Sequence, residues 1–350
     1  MKDKVFLDKL GEQFVGATPG LRLQAYLGGR KKIDIGAGKI YPYYDLASLT
    51  KIIFSANLMM RLTDEKKLSL GSRLKSELKW YQREHVLKNL LSHSAGLIWW
   101  KPYYKEINLE LTPEKRFTQL EQIISNSPIF ENFKTEGPHK AVYSDLDLFI
   151  SSFFYMKVTE QSLLELWNEQ RDRLNFQTTN FHYLNKPVYK RDKYAPTEDS
   201  EWRGRVMQAE VHDENTWALG GIAPHAGLFG EIDELSAWGL KLRKAMRGDN
   251  VKGFATSVTT LKFTKRAIKR EFGDWASGFM MPTKGSASCG KYFSVSSVGH
   301  TGFTGTSLWY DPKQDLLVTI LSNRVHPTRA NLEFAKLRPK LHDWVVESLK

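Results

Sequence analysis

The stretch Asp45-Leu46-Ala47-Ser48-Leu49-Thr50-Lys51 places a hydroxyl and an amine three residues apart at the predicted start of a helix. Residues 52–60 are mostly apolar, which is typical of a helix buried in the middle of a domain. On such a helix, Ser48 and Lys51 lie one turn apart on the same face. A buried Lys must be paired or lose its proton, and a neutral amine beside a Ser hydroxyl is a general base beside a nucleophile. Alternatively, Ser48 caps the helix and Lys51 extends to solvent, because a bare S-x-x-K often occurs by chance.

Length and composition describe a globular protein. The chain has 350 residues, 41% of them hydrophobic, enough for one large or two interlocked domains with a substantial core. A single cysteine, Cys289, excludes an internal disulfide framework and a cysteine-rich zinc site. The N-terminal residues contain early charges and no unbroken apolar segment, and no stretch approaches the ~18 apolar residues of a membrane helix. We therefore expect a cytoplasmic protein without a secretory signal or a membrane span.

The formal net charge of +12 and a pI of about 9.4 raise the question of nucleic-acid binding. The 39 acidic residues are interspersed with the basic ones, and the local basic runs, at 30–32 and 262–270, are short. This pattern is more typical of a solvated surface. We predict no nucleic-acid partner, while attraction to acidic substrates stays compatible with the charge.

Strand patterns occupy both ends of the chain, and helical patterns occupy its middle. Near the start, apolar residues alternate over 21–27 and 33–35 around Gly28-Gly29, which predicts an antiparallel hairpin. We expect one sheet built from the two ends with a helical region inserted, and no doubly wound parallel sheet. The other predictions are helices over 3–14, 146–158, 161–174, 231–246 and 329–349, strands over 292–300, 306–310 and 316–322, and a loop over 176–205.

Two further stretches carry chemically useful groups. Tyr143-Ser144-Asp145 precedes a helical pattern. Either Tyr143 is simply buried and Asp145 caps the helix, or the Tyr143 phenol relays a proton for Ser48 and Lys51. The relay would require a phenol pKa lowered by nearby cations. His300-Thr301-Gly302-Phe303 joins two strand patterns, and its glycine lets the backbone approach a ligand. A hairpin whose histidine is merely polar is the alternative.

The histidines do not show a metal-binding spacing. The nine histidines include no H-x-x-x-H and no H-E-x-x-H, so we predict no metal site and no cofactor. His93 lies near a helix end closed by glycine and is assigned a structural role.

The S-x-x-K, the Tyr-x-Asp and the late His-Thr-Gly, in this order, resemble the motifs of the serine β-lactamase and penicillin-binding-protein superfamily. The similarity is greatest to its class C-like branch of serine hydrolases and esterases. The resemblance implies an α/β (α+β) fold: an antiparallel sheet of about five strands flanked by helices, a mostly helical second region, and an active site in the cleft between them. We assign 1–70 and 215–350 to the sheet region and 71–214 to the helical region. Further blocks in family order are 67–70, 90–97, 210–215, 218–229, 299–308 and 323–329.

The resemblance also implies a two-step acyl transfer through an acyl-enzyme on the serine of the S-x-x-K. His300 stands where many relatives carry Lys, and it is expected to donate to Tyr143 or to a substrate carboxylate, with lower charge at neutral pH. Asp145 stands where many class C enzymes carry Asn, which weakens the expectation of efficient β-lactam hydrolysis. Arg329 is expected to bind a substrate carboxylate or to form a surface ion pair. The implied site comprises Ser48, Lys51, Tyr143 and His300 as catalytic residues, the N–H groups of Ser48 and Phe303 as oxyanion hole, and Asp145, Thr301, Gly302 and Arg329 as substrate-binding residues.

We therefore predict a serine hydrolase that cleaves a carboxylic ester or amide, as an esterase, a D-Ala-D-Ala carboxypeptidase-like enzyme or a weak β-lactamase. The alternative is a catalytically retired penicillin or peptidoglycan sensor, against which the retention of all three motifs argues. The expected partners are an ester, amide or peptidoglycan-fragment substrate and β-lactams as acylating ligands, acting on a monomer. Five aromatic residues either hold an apolar acyl chain or pack between regions: Trp99, Trp100, Tyr103, Tyr104 and Trp202.

Overall fold

The computed structural model describes residues 10–11, 13–130 and 140–350. Most of the helix predicted over 3–14 lies outside these residues. Leu10 and Phe14, which are described, pack into an apolar cluster with the C-terminal helix.

The strands are β1 Gly20–Leu27, β2 Arg30–Gly38, β3 Tyr44–Asp45, β4 Asn180–Phe181, β5 Pro196–Ser200, β6 Arg205–Gln208, β7 Leu228–Gly230, β8 Val298–Thr301, β9 Ser307–Asp311 and β10 Leu316–Ser322. Five of them form the main antiparallel sheet in the order β2-β1-β10-β9-β8, so the first and last strands of the chain are neighbours. Leu23 of β1 lies opposite Ile320 of β10 and Ile35 of β2, which continues one apolar face across three strands. The predicted hairpin and the sheet built from both ends are confirmed.

Helices cover both faces of the sheet. The α-helices are α1 Asn57–Asp64, α2 Leu87–Leu91, α3 Pro113–Ser125, α4 Asp145–Thr159, α5 Leu163–Leu174, α6 Glu214–Ala218, α7 Ile232–Met246, α8 Ser257–Thr264 and α9 Glu333–Leu349. On one face, α9 inserts Phe334 and Leu341 among the apolar side chains of β1 and β10. On the other face, α7 packs closely against β10 at Gly239. A Cβ on this glycine would lie 2.8 Å from the Leu317 side chain. The predicted fold class is confirmed in this layered arrangement.

The helices predicted over 146–158, 161–174 and 231–246 are confirmed as α4, α5 and α7. α4 begins after Ser144, whose hydroxyl caps it by accepting from the Leu146 N–H, so Asp145 is the first helical residue and the cap assigned to it was wrong.

Three other predicted segments differ from the structure. The strand predicted over 292–300 is reduced to Val298–Thr301, because Ser294 bonds the Asp311 carboxylate through both its N–H and its hydroxyl. The final helix begins at Glu333 instead of 329. The region 176–205, predicted as loop, contains the short strands β4 and β5.

Within the described residues, no helix is long and apolar enough to cross a membrane. The proposed boundaries between a sheet region and a helical region stay a prediction.

Candidate active site

Ser48 lies in a 3₁₀ turn, Ala47–Leu49, that leads into a π-helical segment, Lys51–Ala56, and then into α1. Ala47 has a φ of 46°, and the Asp45 carboxylate accepts its N–H at 2.8 Å. Such strained backbone and π-helical turns are frequent at functional sites. The helix predicted after Ser48 is present and buried, although its first turns are not α-helical.

Lys51 is buried with three acceptors around its ammonium group. Its Nζ lies 2.8 Å from Asp145 Oδ1, 2.9 Å from Ser48 Oγ and 3.2 Å from the His225 carbonyl oxygen. Burial lowers the pKa of Lys51, but the Asp145 carboxylate and Tyr143 outweigh burial and raise that pKa above its ordinary value. The buried lysine is therefore paired and charged in the resting state, instead of being the neutral amine expected of a ready general base.

Tyr143 contacts both Ser48 and Lys51. Its hydroxyl donates to Ser48 Oγ at 2.8 Å, and its ring centroid lies 4.9 Å from Lys51 Nζ. Tyr143 keeps 37% of its surface exposed and lines the cleft. Burial raises the pKa of Tyr143, and the opposing effect of Lys51 is smaller. The lowered phenol pKa that a relay would require is not found in the resting site, because burial outweighs the nearby cation.

The segment that carries Tyr143 is held by His93. The Val142 N–H donates to the His93 carbonyl at 3.0 Å, and the Ser144 N–H to His93 Nδ1 at 3.3 Å. Asp147 Oδ2 lies 2.7 Å from the same Nδ1. Burial raises the pKa of Asp147 and lowers the pKa of His93, so burial disfavours the charged form of each group. His93 therefore has a structural role, as assigned from the sequence, and this role is to position Tyr143.

Trp275 stacks on Tyr143 with centroids 5.8 Å apart and packs edge-on against His93 at 4.4 Å. No sequence motif identified this residue. Only proximity in the folded chain assigns it to the site.

His300 lines the cleft as a neutral acceptor. Its Nδ1 lies 2.8 Å from the Thr301 carbonyl oxygen, which can only accept, so Nδ1 carries the proton and Nε2 does not. Burial and the Lys51 charge lower the pKa of His300 to about 3. A lysine at this position would carry a positive charge, and His300 supplies none at neutral pH.

The loop 302–306 lies against the backbone that precedes Ser48. Thr304 Oγ1 donates to the Asp45 carbonyl at 2.7 Å, and Thr306 Oγ1 donates to the Leu46 carbonyl at 3.0 Å. A Cβ on Gly302 would lie 2.0 Å from Thr306 Oγ1 and 2.6 Å from the Leu46 carbonyl oxygen, so only glycine fits without rearrangement. These contacts hold the predicted oxyanion donors, Ser48 and Phe303, in one rigid unit.

Arg329 also lines the cleft, but its guanidinium is engaged. Its Nε donates to Glu198 Oε2 at 2.6 Å, and its Nη2 lies 2.6 Å from Glu214 Oε1. Glu198 also accepts from His212 at 3.0 Å, and these bonds lower its pKa to about 2 against the opposing effect of burial. The predicted alternative of an ion pair is present, and a role for Arg329 in substrate binding stays a prediction.

Ser48, Tyr143, His300 and Arg329 line a cavity of about 650 Å³, a volume typical of small-molecule sites. Of the five aromatic residues named from the sequence, only Trp99 and Trp100 line it. Tyr103 is buried in the core, and Tyr104 packs on Trp202 with centroids 4.5 Å apart. The cavity is lined by Ala47, Ser48, Trp99, Trp100, Tyr143, Asp145, His212, Asp213, Glu214, His225, Ala226, Trp275, Met280, His300, Thr301, Gly302, Phe303, Arg324, Arg329, Leu332, Ala335 and Arg338.

A family model described as Beta-lactamase matches residues 16–338 of the chain. The chain belongs to the beta-lactamase family. The resemblance inferred from the motifs is thereby confirmed, and the family together with the names of relatives indicates a hydrolase of the β-lactamase and penicillin-binding-protein superfamily.

Known relatives of this beta-lactamase family member carry different activities in their names. A "putative D-alanyl-D-alanine carboxypeptidase" of Salmonella typhi is 26% identical over 345 residues, covering 87% of this chain and 76% of the relative. The structure of EstCE1, described as a hydrolase with promiscuous acyltransferase activity, has a TM-score of 0.71 at 16% identity, with 97% of each chain covered. An octameric penicillin-binding protein homologue from Pyrococcus abyssi has a TM-score of 0.66 at 17% identity, covering 96% of this chain and 76% of that one. At these identities the structural likenesses show the shared fold alone.

One group of side chains in this family member has the spacing of metal ligands. Candidate ligand atoms of Asp145, Asp213 and His225 lie within 4.8 Å of one another. Each is already engaged, since Asp145 contacts Lys51, and His225 Nε2 lies 3.2 Å from Asp213 Oδ1. The Lys51 ammonium supplies the positive charge beside Asp145 that a metal ion would otherwise supply.

Proposed function

We propose that this protein is a serine hydrolase that cleaves a carboxylic ester or amide through an acyl-enzyme on Ser48. One observation carries the proposal: Ser48 Oγ, on the wall of the cavity, lies within 2.9 Å of both Lys51 Nζ and the Tyr143 hydroxyl. A serine bonded to two groups that can exchange its proton is the arrangement required of an activated nucleophile.

In the first step Ser48 Oγ attacks the substrate carbonyl carbon, and the Lys51–Tyr143 pair takes the serine proton. The negative charge that develops on the carbonyl oxygen is held by the N–H groups of Ser48 and Phe303, and one such donor contributes about 3 kcal/mol. The bond to the leaving group then breaks, and the pair returns the proton to the leaving alcohol or amine. In the second step water attacks the acyl-enzyme, gives a proton to the pair and releases the acid, and the pair reprotonates Ser48 Oγ.

The positive charge of Lys51 adds one requirement to these reaction steps. The resting pair holds a full complement of protons, because the pKa values of Lys51 and Tyr143 are both raised. One proton must leave the pair before Ser48 can be deprotonated. The rate should therefore increase with pH, as the fraction of the pair in the base form increases.

The substrate class is narrowed by the two departures from the common family pattern. His300 is neutral, and Asp145 is an anion bound to Lys51 where an amide would offer a hydrogen-bond donor to an acylamide group. Both features weaken the case for β-lactams. Side-by-side assays of short-chain p-nitrophenyl esters, nitrocefin and a D-Ala-D-Ala peptide should show fastest turnover on an ester.

The assignment of the nucleophile is tested by labelling with a serine-directed fluorophosphonate and locating the adduct by mass spectrometry. The adduct should be on Ser48 and absent from the Ser48→Ala variant. Ser76→Ala, which removes an exposed hydroxyl that donates to the Arg73 carbonyl, is the matched control and should label like the parent protein. Undiminished labelling of Ser48→Ala would refute the assignment.

A retired penicillin or peptidoglycan sensor is the second candidate, and the Lys51–Asp145 ion pair is the observation that favours it, because it reduces the supply of free base. Burst kinetics with the same esters separate the two functions. A sensor would release one equivalent of product and then stop, whereas a hydrolase continues to steady state.

A further inference from the structure

The basic run at 262–270 belongs to a longer segment that contains no acidic residue. Residues 250–270 include six lysine and arginine residues and no aspartate or glutamate. Elsewhere in the chain the 39 acidic residues are interspersed with the basic ones. The segment therefore concentrates part of the net charge of +12 in one place.

Most of these cations are free. Arg266 pairs with Asp274 at 2.8 Å, and Lys269 lies 3.8 Å from Glu271, at the edge of ion-pair distance. The other four are exposed, and no carboxylate oxygen of the described residues lies within 4.0 Å of their charged groups: Lys252, Lys262, Lys265 and Arg270. Their charge is available to a partner outside the chain.

Helix α8, which lies within this segment, exposes aliphatic side chains and buries polar ones. Val258 is 79% exposed and Leu261 46%, whereas Thr259 and Thr260 are buried. Val258, Leu261 and Lys262 occupy positions i, i+3 and i+4, so they lie on the same side of the helix. A single exposed aliphatic residue is ordinary, but two beside free lysines form the pattern of a helix that lies on a membrane surface.

The outward side of α8 is fixed by contacts at both of its ends. At its start, the Asp64 carboxylate accepts from the Thr256 N–H at 2.7 Å and from the Thr259 hydroxyl at 2.5 Å. Near its end, the buried Phe263 accepts the Ser277 N–H on its carbonyl at 2.9 Å. The exposure of Val258 and Leu261 is therefore a property of the packed helix.

We propose that the α8 face, defined as Val258, Leu261, Lys262 and Lys265, docks on a lipid bilayer that contains anionic lipids. The lysines contact lipid phosphate groups, and the two aliphatic side chains insert between the headgroups. Single-stranded nucleic acid would require aromatic side chains for base stacking, and the exposed positions of α8 carry none.

The docked surface adjoins the cleft. The Ala267 N–H donates to the carbonyl of Trp275 at 2.8 Å, and Trp275 lines the cavity beside Ser48. Docking through α8 would therefore hold the cleft wall close to the lipid surface. The inference concerns a surface outside the catalytic residues and does not rest on the proposed hydrolysis.

The test is cosedimentation of the full chain with vesicles of phosphatidylcholine and phosphatidylglycerol in equal parts, and with vesicles of phosphatidylcholine alone. The parent protein should bind the anionic vesicles, bind the neutral ones weakly, and lose affinity as salt is added. Lys262→Glu with Lys265→Glu should raise the half-saturating lipid concentration by about tenfold or more. Arg30→Glu with Lys32→Glu changes the net charge equally in the exposed run at 30–32, and this control should keep most of the affinity.

The aliphatic part of the face is tested separately. Val258→Gln removes an apolar side chain and keeps a residue that suits a helix, so binding should weaken by about threefold or more. Val295→Gln, at a position that is 51% exposed, is the matched control and should bind like the parent protein.

Three outcomes would overturn the inference. The first is no binding to anionic vesicles, or equal binding to neutral ones. The second is an equal loss in the Arg30 and Lys32 control, because net charge and not the α8 face would then be responsible. The third is tighter binding of a thymidine oligonucleotide that the Lys262 and Lys265 substitutions abolish, which would assign the face to nucleic acid. If circular dichroism shows that the double reversal is unfolded, Lys262→Gln with Lys265→Gln replaces it.

Discussion

The two sides of Ser48 are held in place by different forces. On the oxyanion side, loop 302–306 is attached by neutral bonds from Thr304 and Thr306 to backbone carbonyl groups. On the proton-transfer side, Lys51 is held by the charge of Asp145, and Tyr143 is supported by the buried His93–Asp147 pair.

The two sides should therefore affect the reaction rate in different ways, one through the geometry of the oxyanion donors and the other through the charges of the proton-transfer groups. On the oxyanion side, Thr304 and Thr306 are neutral, and the arginines that donate to the Gly302 and Phe303 carbonyl groups stay charged at neutral pH, so the contribution of this side to the rate should not depend on pH near neutrality. The proton-transfer side consists of groups whose pKa values are shifted by burial and by one another. Substitutions on the first side should change the height of the pH–rate profile, and substitutions on the second should change its position.

The largest effect is expected from Gly302→Ala on the oxyanion side. The new Cβ would lie 2.0 Å from Thr306 Oγ1 and 2.6 Å from the Leu46 carbonyl oxygen, so the peptide that bears the Phe303 N–H must move. We expect kcat/KM to fall about 10²–10³-fold, as for the loss of one oxyanion donor, with an unchanged pH midpoint.

Gly71→Ala is the control for this substitution, because its Cβ would meet only Ser69 Oγ at 3.7 Å. A Gly302→Ala variant that keeps full activity while remaining folded by circular dichroism would show that the loop does not hold the oxyanion donor.

A smaller effect, of a different kind, is expected from Asp145→Asn. Removal of the carboxylate leaves burial as the main influence on Lys51, so the pKa of Lys51 should fall. Because the neutral amine is the active base, the rising limb of kcat/KM should move to lower pH, which is measured in a pH series. Asp192→Asn changes the net charge equally at an exposed position. A limb that stays in place would mean that Asp145 does not control the Lys51 charge.

The smallest effect is expected from Thr304→Val, which keeps the shape of the side chain and removes its bond to the Asp45 carbonyl. Loss of one neutral hydrogen bond costs about 0.5–1.5 kcal/mol, so kcat/KM should fall roughly two- to tenfold without a shift in pH dependence. Thr118→Val, at an exposed helix position, is the matched control. A displaced pH midpoint in Thr304→Val would contradict the separation of the two sides.

Much of the fold could be predicted because its patterns are local. The alternation around Gly28-Gly29 predicted the first hairpin, and the strand over 316–322 was predicted with its observed ends. The strand predicted over 292–300 was wrong in its first half, because the Ser294–Asp311 bonds join residues that only the folded chain brings together.

Some residues of the candidate site could likewise be predicted from local motifs, and others could not. The motifs identified Ser48, Lys51 and Tyr143, and the structure brings their side chains into contact. The motifs did not show that Asp145 binds Lys51, because whether this acid lies near the amine depends on how α4 docks against the nucleophile helix. Trp275 and Arg338 belong to no motif or block of the sequence that resembles the family, and only the folded chain places them on the wall of the cavity.

Residue types at short spacings were enough to identify the family, the order of the elements and the neighbouring hydroxyl and amine of Ser48 and Lys51. The raised pKa of Lys51 became apparent only in the folded chain, because a pKa depends on burial and on charges that arrive from distant segments.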